Sequence, residues 1–373
     1  MKRLRVLAAG AMLIACNAPV PALGKVCDVT APPYHAVGDG ATVNTKALQA
    51  AIDDCAGTAA SPGTVLLPGN GNGNTTTAFV SGALFLRSHV VLEIATGAAL
   101  RASATLKDNA TWPWIYKRIA GFMQFGHASL LNGGVCQKMR PACPDGCPGR
   151  NLGDTCAEWS KLQNVALRGG GTIDGDGESW HHPPYVDVRP VLINLMWIDG
   201  LAIEDLLITR PPFWTIHPVF CNNVVLRNTT VDTVGYANGD GIDVDSCSNT
   251  LIENCTFATG DDCIALKSGM DSDGRAVGIP TVNVTVRDTV FLEGHGCSIG
   301  SDMSGGVANA VFSDLRFEGT GAGVRIKDQR GRGGYVRNIT YRNAVMKKVG
   351  AVLEITQFYH SGIPPTNSSA TPT

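Results

Sequence analysis

After its first 24 residues the chain has no apolar run long enough to cross a bilayer, so no membrane-spanning helix is expected there. It also lacks an excess of positive charge: 30 Lys and Arg stand against 32 Asp and Glu, a formal net charge of −2. Bulk attraction to nucleic acid or an anionic membrane is not expected, and any anionic ligand must be recognised by a few local cations. Long amphipathic helices are scarce. One is expected over residues 44–55, NTKALQAAIDDC, where Ala47, Leu48, Ala51 and Ile52 share a face and Asn44 or Thr45 serves as N-cap. The cysteine-rich stretch GGVCQKMRPACPDGCPGRNLGDTC lacks the paired short spacings of a zinc finger, so no metal centre is expected in it.

What the sequence does contain begins with a secretory layout. Lys2, Arg3 and Arg5 precede an apolar run over residues 6–16, and Ala22 and Gly24 suit the end of a leader spanning 1–24. Lipid attachment at Cys16 is the alternative. Removing the leader takes away three positive charges, giving −2 − 3 = −5. A secreted chain with 12 cysteines is expected to form several disulfides and keep at least one free thiol. Cys136, Cys143, Cys147 and Cys156 predict a disulfide-tied insertion over 112–160, and Cys27 with Cys55 a strap on the N-terminal segment. Seven glycosylation sequons start at Asn74, Asn109, Asn228, Asn254, Asn283, Asn338 and Asn367.

From about residue 160 a loose repeat sets the architecture. The segments AIEDLLI, VLRNTTV, LIENCTF, TVRDTVF, VFSDLRF and TYRNAVM place Asp205, Asn228, Asn254, Asp288, Asp314 and Asn343 at steps of 23, 26, 34, 26 and 29 residues. Irregular periods with short β-branched strands predict an all-β chain wound as a parallel β-helix; a propeller would need steadier periods and four strands per blade. The Asn and Asp positions are expected to stack as a ladder of side-chain hydrogen bonds. The early helix is expected to cap the first coil and protect its strand edges.

On such a frame NGDGIDV and GDDCIAL align with an offset of 22 residues, so Asp240 and Asp262 are expected on adjacent coils about 5 Å apart, with Asp261 beside them. GHGCSIGSD adds His295. In GVRIK the alternation turns Val324 and Ile326 inward and Arg325 and Lys327 outward together. A cluster of carboxyls raises the pKa of at least one member, so one can act as acid and another as base. Asp243 and Asp245 are expected to be turn or ladder groups. Lys267 reads as a surface lysine or a second anion contact, Arg330 and Arg332 as solvated or as an extension of the cationic surface, and Cys263 and Cys297 as core thiols.

These motifs resemble glycoside hydrolase family 28, the polygalacturonases and their relatives. The matching stretches are Asn238-Gly239-Asp240, Gly260-Asp261-Asp262, Gly294-His295-Gly296 and Arg325-Ile326-Lys327, in family order, with Gly239 standing where the family has Thr. VGDGATVNTKALQAAIDDC, GGGTIDGDGESW and PFWTIHPV extend the likeness over most of the chain. The resemblance implies a right-handed parallel β-helix that hydrolyses α-1,4-galacturonosidic bonds with inversion and needs no cofactor or metal. It implies Asp261 as general acid, Asp240 and Asp262 as the pair that holds and deprotonates water, and His295 as tuner of the acid. Arg325 and Lys327 would bind the sugar carboxylate, with Tyr359 and His217 as further substrate contacts. The expected organisation is a leader at 1–24, a single catalytic β-helix at 25–360, and a Pro/Ser/Thr-rich tail at 361–373 that is disordered or a truncated end. The expected partner is pectin or polygalacturonate, acted on by a secreted monomer, with exo action slightly favoured. Rhamnogalacturonan or xylogalacturonan hydrolysis, a calcium-dependent lyase, and a β-helix that binds polysaccharide without cleaving it are the alternatives.

Overall fold

The structure, a computed structural model, describes residues 24–70, 77–106, 109–139, 156–184, 188–359 and 370–373. The expected leader, apart from Gly24, and most of the expected tail lie outside the described residues. Within them the chain is all-β, a stack of parallel coils. In a representative coil it passes through Ile216–Val219, turns, runs through Asn222–Arg227 and Thr230–Asp232, and enters the next coil at Ile242–Asp245. Equivalent strands pair in parallel register from coil to coil, giving one sheet of nine short strands and one of 17 strands. The two stretches of the long side merge downstream into the single strands Thr281–Glu293, Val307–Glu318 and Val336–Lys347.

Period-two alternation drives this winding: inward residues bury an apolar column while outward ones meet solvent or a neighbouring segment. Ile216, Ile242 and Ile264 stack in register and are fully enclosed. Phe257, Phe291 and Phe317 stack with centroids 5.7 and 4.6 Å apart, so each ring completes its packing against the coils before and after.

The corners carry the repeat. Asp205, Asn228, Asn254, Asp288, Asp314 and Asn343 all adopt left-handed backbone, with φ between 50° and 59°. Asn and Asp tolerate this conformation because their short polar side chains bond locally. Two rungs of the expected ladder carry side-chain bonds, Asn228 to Asp205 at 3.1 Å and Asn343 to Asp314 at 3.0 Å. A second ladder runs alongside and was not anticipated. In it Asn249 donates to Asn222, Asn283 to Asn249, Asn309 to Asn283 and Asn338 to Asn309, over 2.9–3.4 Å.

The early helix spans Thr45–Asp54 and buries Leu48, Ala51 and Ile52 against the first coils. Its cap differs from expectation. Asn44 occupies the N-cap position, but its side chain bonds the backbone of Val37 and Thr42 instead of the helix. The Cys27–Cys55 strap is present. The stretch 112–160 is not one insertion loop. Leu131–Gly133 is a strand of the nine-stranded sheet, flanked by one hairpin, Trp114–Ile119 with Phe122–His127, and a second, Cys136–Met139 with Cys156–Trp159. Cys136 pairs with Cys156, while Cys143 and Cys147 lie outside the described residues. Five thiols, Cys221, Cys247, Cys255, Cys263 and Cys297, are free and buried.

At the far end, Leu353 and Ile355 stand in register with Val324 and Ile326 yet are 61% and 66% exposed. Of the tail, residues 370–373 are ordered against the neighbouring turn: Val336 donates to Thr373 and Gly331 to Ala370, both at 2.7 Å.

Candidate active site

The strands Ile242–Asp245 and Ile264–Lys267 pair with an offset of 22 residues, so Asp240 and Asp262 each lie two residues before equivalent strands. The turn is fixed by backbone bonds: Gly241 donates to the Asp262 carbonyl at 2.8 Å, and Thr215 to that of Asp240 at 3.0 Å.

Asp261 and Asp262 diverge. Asp261 Oδ1 accepts from the Asp262 amide at 2.9 Å and lies 3.1 Å from His295 Nδ1, which donates when it carries the proton. Burial pushes the Asp261 carboxyl up, but the His295 hydrogen bond and the charges of His295 and Lys327 carry it below its ordinary value. Asp262 is enclosed and saturated. Ser298 Oγ donates to its Oδ1 at 2.7 Å, Arg325 Nη2 bonds the same oxygen, and Lys327 Nζ donates to Oδ2 at 2.6 Å. Burial opposes its charge, yet Lys327 and Arg325, with Lys267 behind them, hold this carboxyl down at about 2.

Arg325 and Lys327 do project outward together, as the alternation predicts, but in this structure both are drawn onto Asp262. Lys327 Nζ also lies 3.4 Å from the Tyr359 hydroxyl and 4.8 Å from its ring centroid, so Tyr359 borders the same cation. Asp261, Asp262 and His295 bring potential ligand atoms within 4.8 Å of one another. The two cations already seated on Asp262 make this an ion-pair network with little charge left for a metal.

Five residues stand elsewhere than expected. Asp243 and Asp245 belong to the strand Ile242–Asp245 and not to a turn, and both are wholly enclosed on its outer side. Asp243 Oδ1 lies 3.5 Å from Lys267 Nζ, which reaches Asp302 at 3.9 Å and sits 4.3 Å above the Trp214 ring, so Lys267 is a buried counter-charge and not a surface lysine. His217 is not on the open side of the site. It is 0% exposed, with Nδ1 3.0 Å from the Asn194 amide and Nε2 3.5 Å from Asp245 Oδ2. The reason is the hairpin around residue 120: Arg118 donates to Asp245 and Ser246, both at 3.1 Å, and its carbonyl accepts from Asn194, which closes the surface above His217. Burial keeps His217 below its usual pKa despite Asp245. Arg332 is enclosed and paired with Asp271 at 3.0 Å, while Arg330 is exposed.

Sequence reasoning missed Arg118, Ser298, Asp302 and Trp214. Ser298 was within reach, since GCSIG places it in the outward slot matching Ala265 and Arg325. Arg118 was not, because 127 residues separate it from Asp245.

Comparison with known proteins shows what the chain is similar to. The chain is 32% identical over 341 residues to a probable polygalacturonase from Vitis vinifera, covering 88% of this chain and 62% of that protein. It is 28% identical over 355 residues to an exo-poly-alpha-D-galacturonosidase from Dickeya chrysanthemi, covering 88% of this chain and 56% of the relative. The chain thus spans less than two thirds of the length of either relative. A crystal structure of an exopolygalacturonase from Thermotoga maritima superposes with a TM-score of 0.75 at 24% identity, over 95% of this chain and 79% of that one, a likeness of fold. The model of glycosyl hydrolases family 28 matches residues 150–372, more than half of the 373 residues and the region that holds Asp240, Asp261, Asp262, His295, Arg325 and Lys327, so the chain belongs to that family.

Proposed function

We propose that this chain hydrolyses α-1,4-galacturonosidic bonds of polygalacturonate with inversion, acting from a chain end. The observation that carries the reading is the divergence of two adjacent carboxyls. Asp261 is half-open and bonded to His295, whereas Asp262 is enclosed by Arg325 and Lys327, with Asp240 one coil away. Asp261 then protonates the leaving oxygen, and the opposite carboxyls handle the attacking water, as inversion requires. Arg325 and Lys327 suit a substrate carboxylate: a planar fork and a point charge, each able to share its donors between Asp262 and the sugar. A calcium-dependent lyase is disfavoured by those same two cations.

Exo action is supported by how the outer surface is covered. On the coils before the site the outward residues Asn194 and His217 are enclosed beneath the hairpin of Arg118, whereas beyond it Glu354 and Tyr359 are partly open. A polysaccharide therefore has no room over the coils before the site. Secretion is supported by the disulfides Cys27–Cys55 and Cys136–Cys156, bonds that persist in oxidising compartments.

Incubating the protein with polygalacturonate is expected to generate new reducing ends without unsaturated products, and a defined oligogalacturonate to release units from one end. Asp261→Asn is expected to lose about 10²–10⁴-fold in rate while unfolding at the same denaturant concentration. Full activity in that variant removes Asp261 as the acid. Activity confined to rhamnogalacturonan or xylogalacturonan would reassign the backbone.

A further inference from the structure

The turns that carry Asp240 and Asp261 meet at one buried hydroxyl. Thr233 is 0% exposed, and its Oγ1 donates to the Gly239 carbonyl at 2.5 Å and accepts from the Gly260 amide at 3.2 Å. A hydroxyl has one proton to give and lone pairs to receive another, so both bonds form at once. Gly239 directly precedes Asp240 and Gly260 directly precedes Asp261, so a single oxygen spans the two turns on adjacent coils. Backbone bonds hold Thr233 in place: its amide donates to Ala258 at 2.8 Å, and its carbonyl accepts from Tyr236 at 3.1 Å. Gly239 in turn donates to the Tyr236 carbonyl at 2.9 Å.

The glycine at 239 makes this approach possible. A β-carbon there would lie 2.7 Å from the Tyr236 carbonyl oxygen and 3.1 Å from both Cβ and Oγ1 of Thr233, so a larger residue drives the turn off the hydroxyl. This is the position at which the chain carries Gly where the family has Thr, and the Thr233 side chain fills the space left. The device is local to these two coils. Thr230–Asp232 and Thr256–Ala258 pair in register, which sets Thr259 beside Thr233 on the next coil, where its Oγ1 donates to the Asp261 carbonyl at 2.8 Å. The same register brings Arg210 to this place one coil earlier and Gly294 one coil later, and neither offers a hydroxyl.

We propose that Thr233 is a positioning residue whose hydroxyl fixes the spacing of Asp261 from Asp240 across one coil step, with Thr259 bonded to the acid turn itself. Inversion depends on this spacing, because the attacking water must fit beside one carboxyl while the other reaches the leaving oxygen. The inference rests on the hydrolase reading and adds to it what sets the geometry. Thr233 is enclosed and acts through Gly239 and Gly260, without touching substrate. When the hydroxyl is absent, the bond from Gly241 to the Asp262 carbonyl at 2.8 Å still ties the coils. Its loss therefore misplaces the turns without unwinding them, and small misplacements are what proton transfer tolerates least.

The test compares Thr233→Val, which keeps the shape and removes the hydroxyl, with Thr233→Ser, which keeps the hydroxyl and removes a methyl. Release of reducing ends from polygalacturonate gives kcat and KM for each. Thr233→Val is expected to lose about 10²-fold in kcat with KM within about twofold, whereas Thr233→Ser stays within about threefold of the unmodified kcat. Thr289→Val removes another enclosed hydroxyl, one that donates to the Arg287 carbonyl at 2.8 Å on the long-strand side, and is expected to leave kcat unchanged. Gly239→Ala keeps the Thr233 hydroxyl but crowds it, and is expected to lose about tenfold in kcat, so the idea stays testable if Thr233→Val misfolds. Full kcat in folded Thr233→Val or Gly239→Ala overturns the proposal, as does a loss in Thr233→Ser or Thr289→Val equal to that in Thr233→Val. Failure of the hydrolase reading has a different signature: the unmodified protein releases no reducing ends, and the positioning role falls with it.

Discussion

The two outer surfaces of the coil follow opposite rules. On the long-strand side, neighbours along the stack repeat or complement one another: Asn222, Asn249, Asn283, Asn309 and Asn338 form an amide ladder, and Glu204, Arg227, Glu253 and Arg287 alternate in charge. On the short-strand side, the outward slot reads Asn194, His217, Asp243, Ala265, Ser298, Arg325 and Glu354, no two alike. A run of like amides satisfies itself and needs nothing from outside. A run of unlike groups cannot, and Asp243, neither of whose carboxyl oxygens has a hydrogen-bond partner among the described residues, falls in that run. The residues with chemistry to offer are the ones the repeat does not explain.

The largest test of this contrast removes one cation from each side. Lys327→Met leaves the enclosed Asp262 with Arg325 as its one directly bonded cation among the described residues and is expected to lower unfolding free energy by about 3 kcal/mol, because a buried charge is left partly uncompensated. Adding Asp262→Asn is expected to recover most of that stability while activity stays lost, which separates the fold's need for the pair from the reaction's. Arg287→Met, on the half-exposed charge ladder, is expected to cost under about 1 kcal/mol. Equal losses in denaturant unfolding at the two sites would erase the distinction.

Acid provides a smaller and more gradual test. A carboxyl whose folded pKa is depressed adds stability that is present above its ordinary value and lost as pH falls through the folded one. For Asp262 that window runs from its usual 3.8 down to about 2, and the contribution is about 2 kcal/mol. Glu253 on the ladder is also lowered, by Arg287 and Arg227, but those two arginines are 49% and 39% exposed, so salt reaches the pairs. High salt is therefore expected to remove the ladder's share of the acid dependence and leave that of Asp262. If salt flattens the whole acid limb in thermal unfolding, Asp262 is not the enclosed ion pair described above.

This contrast also explains what could be read from the sequence. The 22-residue offset was legible because period-two alternation fixes strand register, and the outward pairing of Arg325 with Lys327 follows from the same rule. The corner ladder of Asp205 to Asn343 was legible because like residues recur. Its companion is equally periodic, with Asn five residues ahead of the corner in NTLIEN, NVTVRD and NITYRN. Asp243 and Asp245 misled because NGDGIDVDS reads as an acidic turn until strand pairing shows which residues alternate. The enclosure of His217 and the partner of Arg118 were beyond reach: they depend on where an irregular hairpin lies down, which no periodicity encodes.

The finest test asks which physical term holds the amide ladder in place. Asn283 has φ of 57°, donates to Asn249 and accepts from Asn309. Asn283→Ala removes both bonds and forces a β-carbon into left-handed backbone, so it is expected to cost about 1–2 kcal/mol. Asn283→Gly removes the same bonds but relaxes the backbone, and is expected to cost under about 1 kcal/mol. Both variants should keep full hydrolytic rate, since the ladder lies on the side away from Asp261. If Gly costs as much as Ala in denaturant unfolding, the amide bonds and not the corner conformation carry the ladder. If either variant loses activity while folded, the two surfaces are coupled, and a repeat that only satisfies itself is the wrong description of the long side.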